Sequence, residues 1–106
     1  MLRGDICIYE LPDVGKGVQH GIRPVVCVSN NTNNAKSEVV QVLAITRKRD
    51  GLPMHVEINS TKDKSYVLCE QIFTIRKDRI ISYVGHATKD EMKKISRALL
   101  MQIGGI

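Results

Sequence analysis

The sequence predicts a mainly β fold, a small and strongly curved antiparallel sheet or barrel of five to seven short strands followed by one helix. Apolar, β-branched runs recur along most of the chain, and polar turns rich in Gly, Pro and Asn separate them. Only the segment after Thr88 has the amphipathic period of a helix. Since 106 residues suffice for one modest core, we expect residues 1–106 to form a single domain.

The first half of the chain predicts three strands. Residues 6–9 form a short strand, and the glycine-punctuated stretch 12–21 forms a long loop. Residues 25–28 are continuously apolar, which indicates a strand buried on both faces. Residues 30–34 are polar and predict a turn that contributes nothing to the core. The third strand is the β-branched run Val39–Thr46.

The second half predicts shorter strands and the helix. A turn at residues 50–53 and a polar loop at 59–64 separate strands predicted at His55–Ile58, 65–69, 72–75 and 80–84. Thr88 and Glu91 have the spacing of a capping box, which marks the start of the helix. Its apolar face, a core or dimer-interface surface, is predicted to comprise Met92, Ile95, Leu99 and Ile103.

Composition restricts partners and compartment. Sixteen Lys and Arg against eleven Asp and Glu give a net charge of +5, which favours an acidic partner such as RNA, DNA or an acidic protein segment. Three cysteines lie in apolar runs without CxxC spacing, which indicates buried free thiols in a reducing cytosol. No signal peptide or membrane-spanning run is evident, so we expect a cytoplasmic protein that does not enter the membrane.

Arg23 is the first candidate for chemistry. It lies between a glycine-bearing loop and a buried strand, and Pro24 restrains it to an extended backbone at the mouth of that strand. A planar, permanently charged guanidinium held there suits a phosphate. The same residue alone fits an arginine that merely solubilises a strand end.

Five ordered segments resemble toxins of the MazF/PemK (Kid) family, the bacterial mRNA interferases. They span nearly the whole chain and are RGDI at residues 3–6, QHGIRPVV at 19–26, AIT at 44–46, LPMHVEI at 52–58 and LCEQIFTI at 68–75. The resemblance implies a PemK-like, SH3-like barrel that forms a homodimer. It also implies a toxin of a type II toxin–antitoxin system, which arrests growth until a cognate antitoxin with an acidic C-terminal segment neutralises it.

The resemblance further implies an activity and two catalytic residues. Family members are sequence-specific endoribonucleases that need no metal or other cofactor and cleave single-stranded RNA by attack of the ribose 2′-OH. The products carry 2′,3′-cyclic phosphate and 5′-OH ends. The family's catalytic arginine falls on Arg23 and its catalytic threonine on Thr46. Val18 occupies the position of a family glutamate proposed as proton acceptor, so the general base stays unassigned.

Further candidates for substrate binding each have two interpretations. Gln19, Ser29 and Asn30 suit reading of RNA base edges, although Asn30 equally suits the turn after its strand. His20 is either an acid or base near Arg23 or a solvated loop residue.

The remaining candidates are equally open. Arg47 and Lys48 are either phosphate contacts or a solvated hairpin. Glu70 and Gln71 either line the substrate groove or form hydrogen bonds within the barrel. His55 fits a strand face better than a catalytic role, and three scattered histidines without an acidic cluster disfavour a metal site.

Two other function classes fit the same barrel. One is a non-catalytic toxin of the CcdB type, which poisons DNA gyrase, and the other is an RNA- or protein-binding module that does not cleave. The arginine of the GIRP segment together with Thr46 favours the ribonuclease, because RNA cleavage needs both.

Overall fold

The computed structural model describes residues 1–49 and 51–105 as one antiparallel sheet with a C-terminal helix, which confirms the predicted fold class. The strands and helices in chain order are β1 (Asp5–Leu11), β2 (Gly21–Cys27), α1 (Asn31–Lys36), β3 (Val39–Thr46), β4 (His55–Ile58), β5 (Ser65–Arg76), β6 (Ser82–His86) and α2 (Lys89–Gln102). Six strands are arranged in the order β4-β5-β3-β2-β1-β6. The predicted turn at residues 50–53 includes Asp50, which lies outside the described residues.

The central strand β3 supplies both hydrophobic clusters of the core. Successive side chains of a strand point to opposite faces, so Leu43 and Ile45 enter one cluster while Val42 and Ala44 enter the other. The helix α2 covers the first cluster, where Ile95 is completely buried. A strand with buried residues on both faces explains the nearly unbroken apolar sequence of β3.

Strand β5 differs from the prediction of two separate strands. It is one strand from Ser65 to Arg76, and its pairing with β3 shifts between Leu43, opposite Ile72, and Ala44, opposite Leu68. Residues 69–71 therefore form a bulge without partners in β3. Polar residues in this bulge interrupt the apolar pattern, which is why the sequence reads as two strands.

The prediction of a turn at residues 30–34 is wrong, because the segment forms the short helix α1. Asn30 caps it by accepting a hydrogen bond from the Asn33 backbone N–H at 2.8 Å. Asn34 is only 1% exposed, and its amide donates to the Ser29 carbonyl at 2.9 Å and accepts from the Ser29 hydroxyl at 2.6 Å. A buried amide with these partners costs little, so a polar residue enters the interior.

The predicted capping box of α2 is confirmed. Thr88 accepts from the Glu91 backbone N–H at 3.1 Å, and the Glu91 carboxylate accepts from the Thr88 N–H at 2.9 Å. Burial acts to raise the pKa of Glu91, but hydrogen bonds from Ser60, Asn59 and Thr88 outweigh it and lower that pKa. The ionised carboxylate therefore stabilises the fold at neutral pH, and this contribution is lost as the pH falls through the lowered pKa.

Only the first part of the predicted apolar face of α2 packs against the core of the single chain. Met92 and Leu99 pack against the core as expected, and Ala98 is buried beside them. The helix ends at Gln102, however, and Ile103 is 63% exposed. None of the described helices is both long and apolar enough to span a bilayer.

All three cysteines are free and buried, as predicted. Burial is the main cause that raises the pKa of Cys7 to about 11 and that of Cys69 to about 12. Both thiols are therefore protonated at neutral pH, and a protonated thiol is a poor nucleophile and a poor metal ligand.

The native protein should therefore resist thiol alkylation. Because the pKa of Cys7 lies at about 11 rather than 9.0, its thiolate fraction at pH 8 should be about a hundredfold below that of an ordinary thiol. Mass spectrometry after iodoacetamide treatment should show little labelling of Cys7 and Cys69 until denaturant is added. Rapid labelling of either cysteine in the native protein would contradict this account.

Replacement of Asn34 by Ala should destabilise the fold. The change leaves the Ser29 hydroxyl and carbonyl without their buried partner, and such a loss costs about 1–3 kcal/mol. Urea unfolding measures the change in the free energy of unfolding. The control is Thr32→Ala, an exposed position of the same helix, which should change the stability by less than about 0.5 kcal/mol.

Candidate active-site cleft

Arg23 and Thr46 lie beyond the same end of the β2–β3 ladder. The ladder ends with the pair Val25–Ala44, next to Pro24, which has no N–H to donate. Arg23 is two residues before Val25, and Thr46 is two residues after Ala44. In antiparallel strands these offsets place both residues at one mouth of the sheet and on one face.

Both residues line one cleft of about 640 Å³. The apolar part of its wall comes from β1, β2, β3 and β6 and comprises Ile8, Ile22, Pro24, Ile45 and Val84. The rest of the wall is polar, with four cationic residues and one anionic residue, and it comprises Arg23, Thr46, Arg47, Lys48, Thr61, Lys62, Asp63 and Ser65. A cleft with this excess of positive charge attracts polyanions.

The Arg23 side chain is held by the loop that precedes it. Its Nε donates a hydrogen bond to the His20 carbonyl at 2.9 Å. Within residues 1–49 and 51–105, the terminal nitrogens Nη1 and Nη2 have no hydrogen-bond partner. The guanidinium is therefore fixed at one nitrogen and keeps two others for a bidentate contact, the geometry that recognises phosphate.

The Thr46 hydroxyl is also oriented. Its oxygen accepts a hydrogen bond from the Lys48 backbone N–H at 3.2 Å. This bond does not use the hydroxyl proton, so the group keeps its capacity to donate.

The basic hairpin residues Arg47 and Lys48 extend this cleft, as one of their two interpretations predicted. Arg47 forms an ion pair with Asp63 at 3.1 Å, and both side chains are more than half exposed. Asp63 is the one carboxylate among the described residues of the wall. Sequence reasoning missed Lys62 and Asp63, because an isolated charged loop at residues 59–64 resembles any solvated loop.

Gln71 anchors the loop that carries Arg23. From the bulge of β5, its amide donates to the Gly17 carbonyl at 2.8 Å and accepts from the Gln19 backbone N–H at 3.1 Å. Of the two interpretations of Gln71, hydrogen bonding within the protein is the one that the structure displays. The Gln19 side-chain oxygen is buried and lacks a hydrogen-bond partner in the described part of the chain.

Glu70 contacts His55 and does not line the cleft. The His55 Nε2 lies 2.8 Å from the Glu70 carboxylate, and the His55 side chain is only 4% exposed. The pair ties β4 to the bulge of β5. This contact agrees with the prediction that His55 belongs to a strand face.

His20 lies beside a second cavity, of about 650 Å³, rather than in the cleft. Its ring is exposed, and Nδ1 lies 3.5 Å from the Val18 carbonyl. The contribution of His20 to the cleft that the structure shows is its backbone carbonyl, which holds Arg23.

Ser29 and Asn30 lie past the opposite end of β2. Six residues of extended chain separate Ser29 from Arg23, roughly 20 Å. The Ser29 hydroxyl donates to Asn34 and accepts from the Gln41 backbone N–H at 3.1 Å, while Asn30 caps α1. The structure does not bring these two residues into the cleft.

Nowhere in the described ranges do three or more His, Cys, Asp or Glu side chains cluster as metal ligands would.

Comparisons with known proteins assign these features to one family. Residues 2–103 match the family described as PemK-like, MazF-like toxin of type II toxin–antitoxin system. An endoribonuclease MazF from Staphylococcus saprophyticus is 37% identical over 110 residues, which cover 98% of this chain and 92% of that protein.

Solved structures agree. A mycobacterial endoribonuclease in complex with its cognate antitoxin is similar, with a TM-score of 0.84 and 31% identity over 98% of this chain and 95% of that one. MazF from Deinococcus radiodurans has a TM-score of 0.86, 18% identity, and coverage of 98% and 96%. At that identity the second likeness supports the fold alone.

Replacement of Gln71 by Ala should release the loop at residues 12–21. The change removes both hydrogen bonds that join the loop to β5, so trypsin should cut after Lys16 severalfold faster than in the unmodified protein. The matched control is Gln41→Ala, which removes a side-chain bond to Thr74 on the sheet at 3.3 Å. Equal cleavage rates in the two variants would show that Gln71 does not anchor the loop.

Proposed function

Since this chain belongs to the family of PemK-like, MazF-like toxins of type II toxin–antitoxin systems, we propose that it is an endoribonuclease that cleaves single-stranded RNA without a metal ion. Residues 1–106 would form one toxin domain that acts in the cytoplasm, where messenger RNA is translated. The observation that carries it is the joint position of Arg23 and Thr46 in one cationic cleft.

The proposed reaction is a transesterification within the RNA. The ribose 2′-oxygen attacks the neighbouring phosphorus and forms an O2′–P bond, while the P–O5′ bond breaks. The 2′-hydroxyl gives up its proton, and the leaving 5′-oxygen gains one. The products are a 2′,3′-cyclic phosphate and a 5′-hydroxyl end. Because the nucleophile belongs to the substrate, it is already close to the phosphorus, which lowers the entropic part of the barrier.

Arg23 is proposed to stabilise the charge that develops on the phosphate. Its terminal nitrogens can donate two hydrogen bonds to the non-bridging oxygens, and Nε stays on the His20 carbonyl. The Thr46 hydroxyl is proposed to donate to the same phosphate or to orient a proton transfer. Both groups are held by backbone contacts before substrate binds, so little reorganisation is needed in the transition state.

The other candidates differ in how they would take part in substrate binding. Arg47 and Lys48 would contact phosphates beside the scissile one, because they line the same cleft. Gln19 and Gln71 would position the loop that carries Arg23, through the hydrogen bond between the Gln19 backbone N–H and the Gln71 side chain, and base reading by Gln19 stays a prediction. The roles of His20, Ser29, Asn30 and Glu70 in substrate binding stay predictions, and none of these four residues lines the cleft.

Two protein partners are also proposed. The mycobacterial relative was solved with its cognate antitoxin. A cognate antitoxin with an acidic C-terminal segment would suit the cationic cleft of this chain and block it. A homodimer is supported by large apolar side chains that the single chain leaves exposed, namely Ile22, Ile81, Tyr83, Val84, Leu100, Met101 and Ile103.

Cleavage should persist in EDTA and should depend on Arg23. A long RNA incubated with the purified protein in excess EDTA should yield fragments that polynucleotide kinase labels directly, which identifies 5′-hydroxyl ends. Arg23→Ala should lower the cleavage rate by about 10²–10³-fold, since it removes one preorganised donor to the phosphate. The control is Arg76→Ala, because Arg76 pairs with Asp78 at the far end of β5.

Two results would overturn the proposal. One is RNA that stays intact in EDTA, and the other is cleavage by Arg23→Ala at the unmodified rate. Inhibition of DNA gyrase supercoiling together with intact RNA would instead indicate the CcdB-like alternative.

A further inference from the structure

A second cationic pocket lies at the other end of β2 from the cleft. Its volume is about 580 Å³, and Arg3, His86 and three basic residues of α2 line it. The segment that carries Arg3 lies directly beside the end of β2, because the Gly4 N–H donates a hydrogen bond to the Cys27 carbonyl at 2.8 Å. Four residues of extended strand, roughly 13 Å, separate Cys27 from Arg23. We name it the Arg3 pocket.

The helix α2 presents a row of positive charges to the Arg3 pocket. Lys89, Lys93 and Arg97 are spaced four residues apart and all line it. Like charges at this spacing destabilise a helix, so the row is unfavourable without an anion. No ion pair within residues 1–49 and 51–105 involves any of these three cations.

The carboxylates near the Arg3 pocket form no ion pair with these three cations in the described part of the chain. Asp5 lies 2.8 Å from the Nδ1 of His86, on the ring that lines the pocket. Glu91 is held in the capping box and by Asn59 at 2.7 Å. Asp90 lines a neighbouring cavity that Lys93 and Arg97 also reach, but no ion pair joins Asp90 to either of them within the described residues. The pocket wall itself has no carboxylate among the described residues.

Arg3 lines the same pocket as these three cations, and its partly buried guanidinium has one nitrogen without a hydrogen-bond partner in the described residues. Its Nη2 donates to the Ser96 hydroxyl, which orients the side chain toward α2. Its Nη1 is buried and has no hydrogen-bond partner in the described part of the chain. A buried N–H without a partner is costly, and an anionic oxygen in the pocket would satisfy it.

We infer that the Arg3 pocket binds phosphates of an RNA strand outside the cleavage cleft, an inference that rests on the proposed ribonuclease function. Cations four residues apart on a helix are spaced by about 6 Å along its axis, which suits a linear polyanion rather than a single ion. An acidic peptide has the same charge, but peptide docking relies on apolar anchors. The apolar lining here consists of Ala87 and Met92.

The test compares charge removal inside and outside the pocket on the same helix. The double variant Lys89→Gln/Lys93→Gln removes two charges from the row, and Lys94→Gln removes one from a position that lines the neighbouring cavity but not the Arg3 pocket. Thermal unfolding verifies that each variant folds. Binding of a 2′-O-methyl RNA, which has no 2′-hydroxyl to attack, is measured by fluorescence anisotropy over a range of salt concentrations.

The double variant should bind this strand severalfold more weakly, and the slope of log K against log salt should fall by about 0.7 for each lost phosphate contact. Lys94→Gln should leave the slope unchanged. An unchanged slope in the double variant would overturn the inference. So would the loss of poly-glutamate peptide binding with RNA binding intact, which would assign the pocket to an acidic protein segment.

A parallel measurement separates this inference from the function on which it rests. The unmodified protein is incubated with ordinary RNA of the same sequence in EDTA. Intact RNA there would contradict the ribonuclease proposal, whereas normal cleavage with an unchanged binding slope in the double variant would contradict the Arg3 pocket alone.

Discussion

The register of β5 against β3 is the constraint on which the candidate site depends. A shift of register between Leu43 and Ala44 leaves residues 69–71 without partners in β3. The side chains of Glu70 and Gln71 in this bulge hold His55 and the loop before Arg23. A slip of one residue would turn every side chain of β5 to the other face and undo both contacts.

The cleft combines rigid strand ends with side chains fixed by the backbone. Arg23 and Thr46 come from neighbouring strands whose positions are set by the buried pair Val25–Ala44. Arg23 donates a hydrogen bond to the His20 carbonyl, and Thr46 accepts one from the Lys48 backbone N–H. Further charge comes from residues around this frame, Arg47 and Lys48 after β3 and Lys62 in the loop before β5. Such a division suits a chemistry in which a fixed donor stabilises the transition state while the surrounding cations attract the substrate.

The sequence predicted the elements that a local pattern specifies and missed those that depend on tertiary contacts. The bounds of β3 and β4 and the capping box of α2 were predictable from β-branched runs and from the spacing of Thr88 and Glu91. The helix α1 was not, because its buried Asn34 is tolerated only with partners from Ser29. In the site, the family resemblance indicated Arg23 and Thr46. Lys62 and Asp63 join them only through folding of the chain, which no local pattern reveals.

The contacts between the two chain ends constrain how the protein can be synthesised. The edge strand β6 pairs with β1, and Arg3 reaches Ser96 across a separation of 93 residues. Val84 of β6 also completes the cleft wall. Contacts this distant in sequence form late, since the intervening chain must close first. A nascent chain on the ribosome therefore lacks a complete cleft until β6 has emerged and paired with β1.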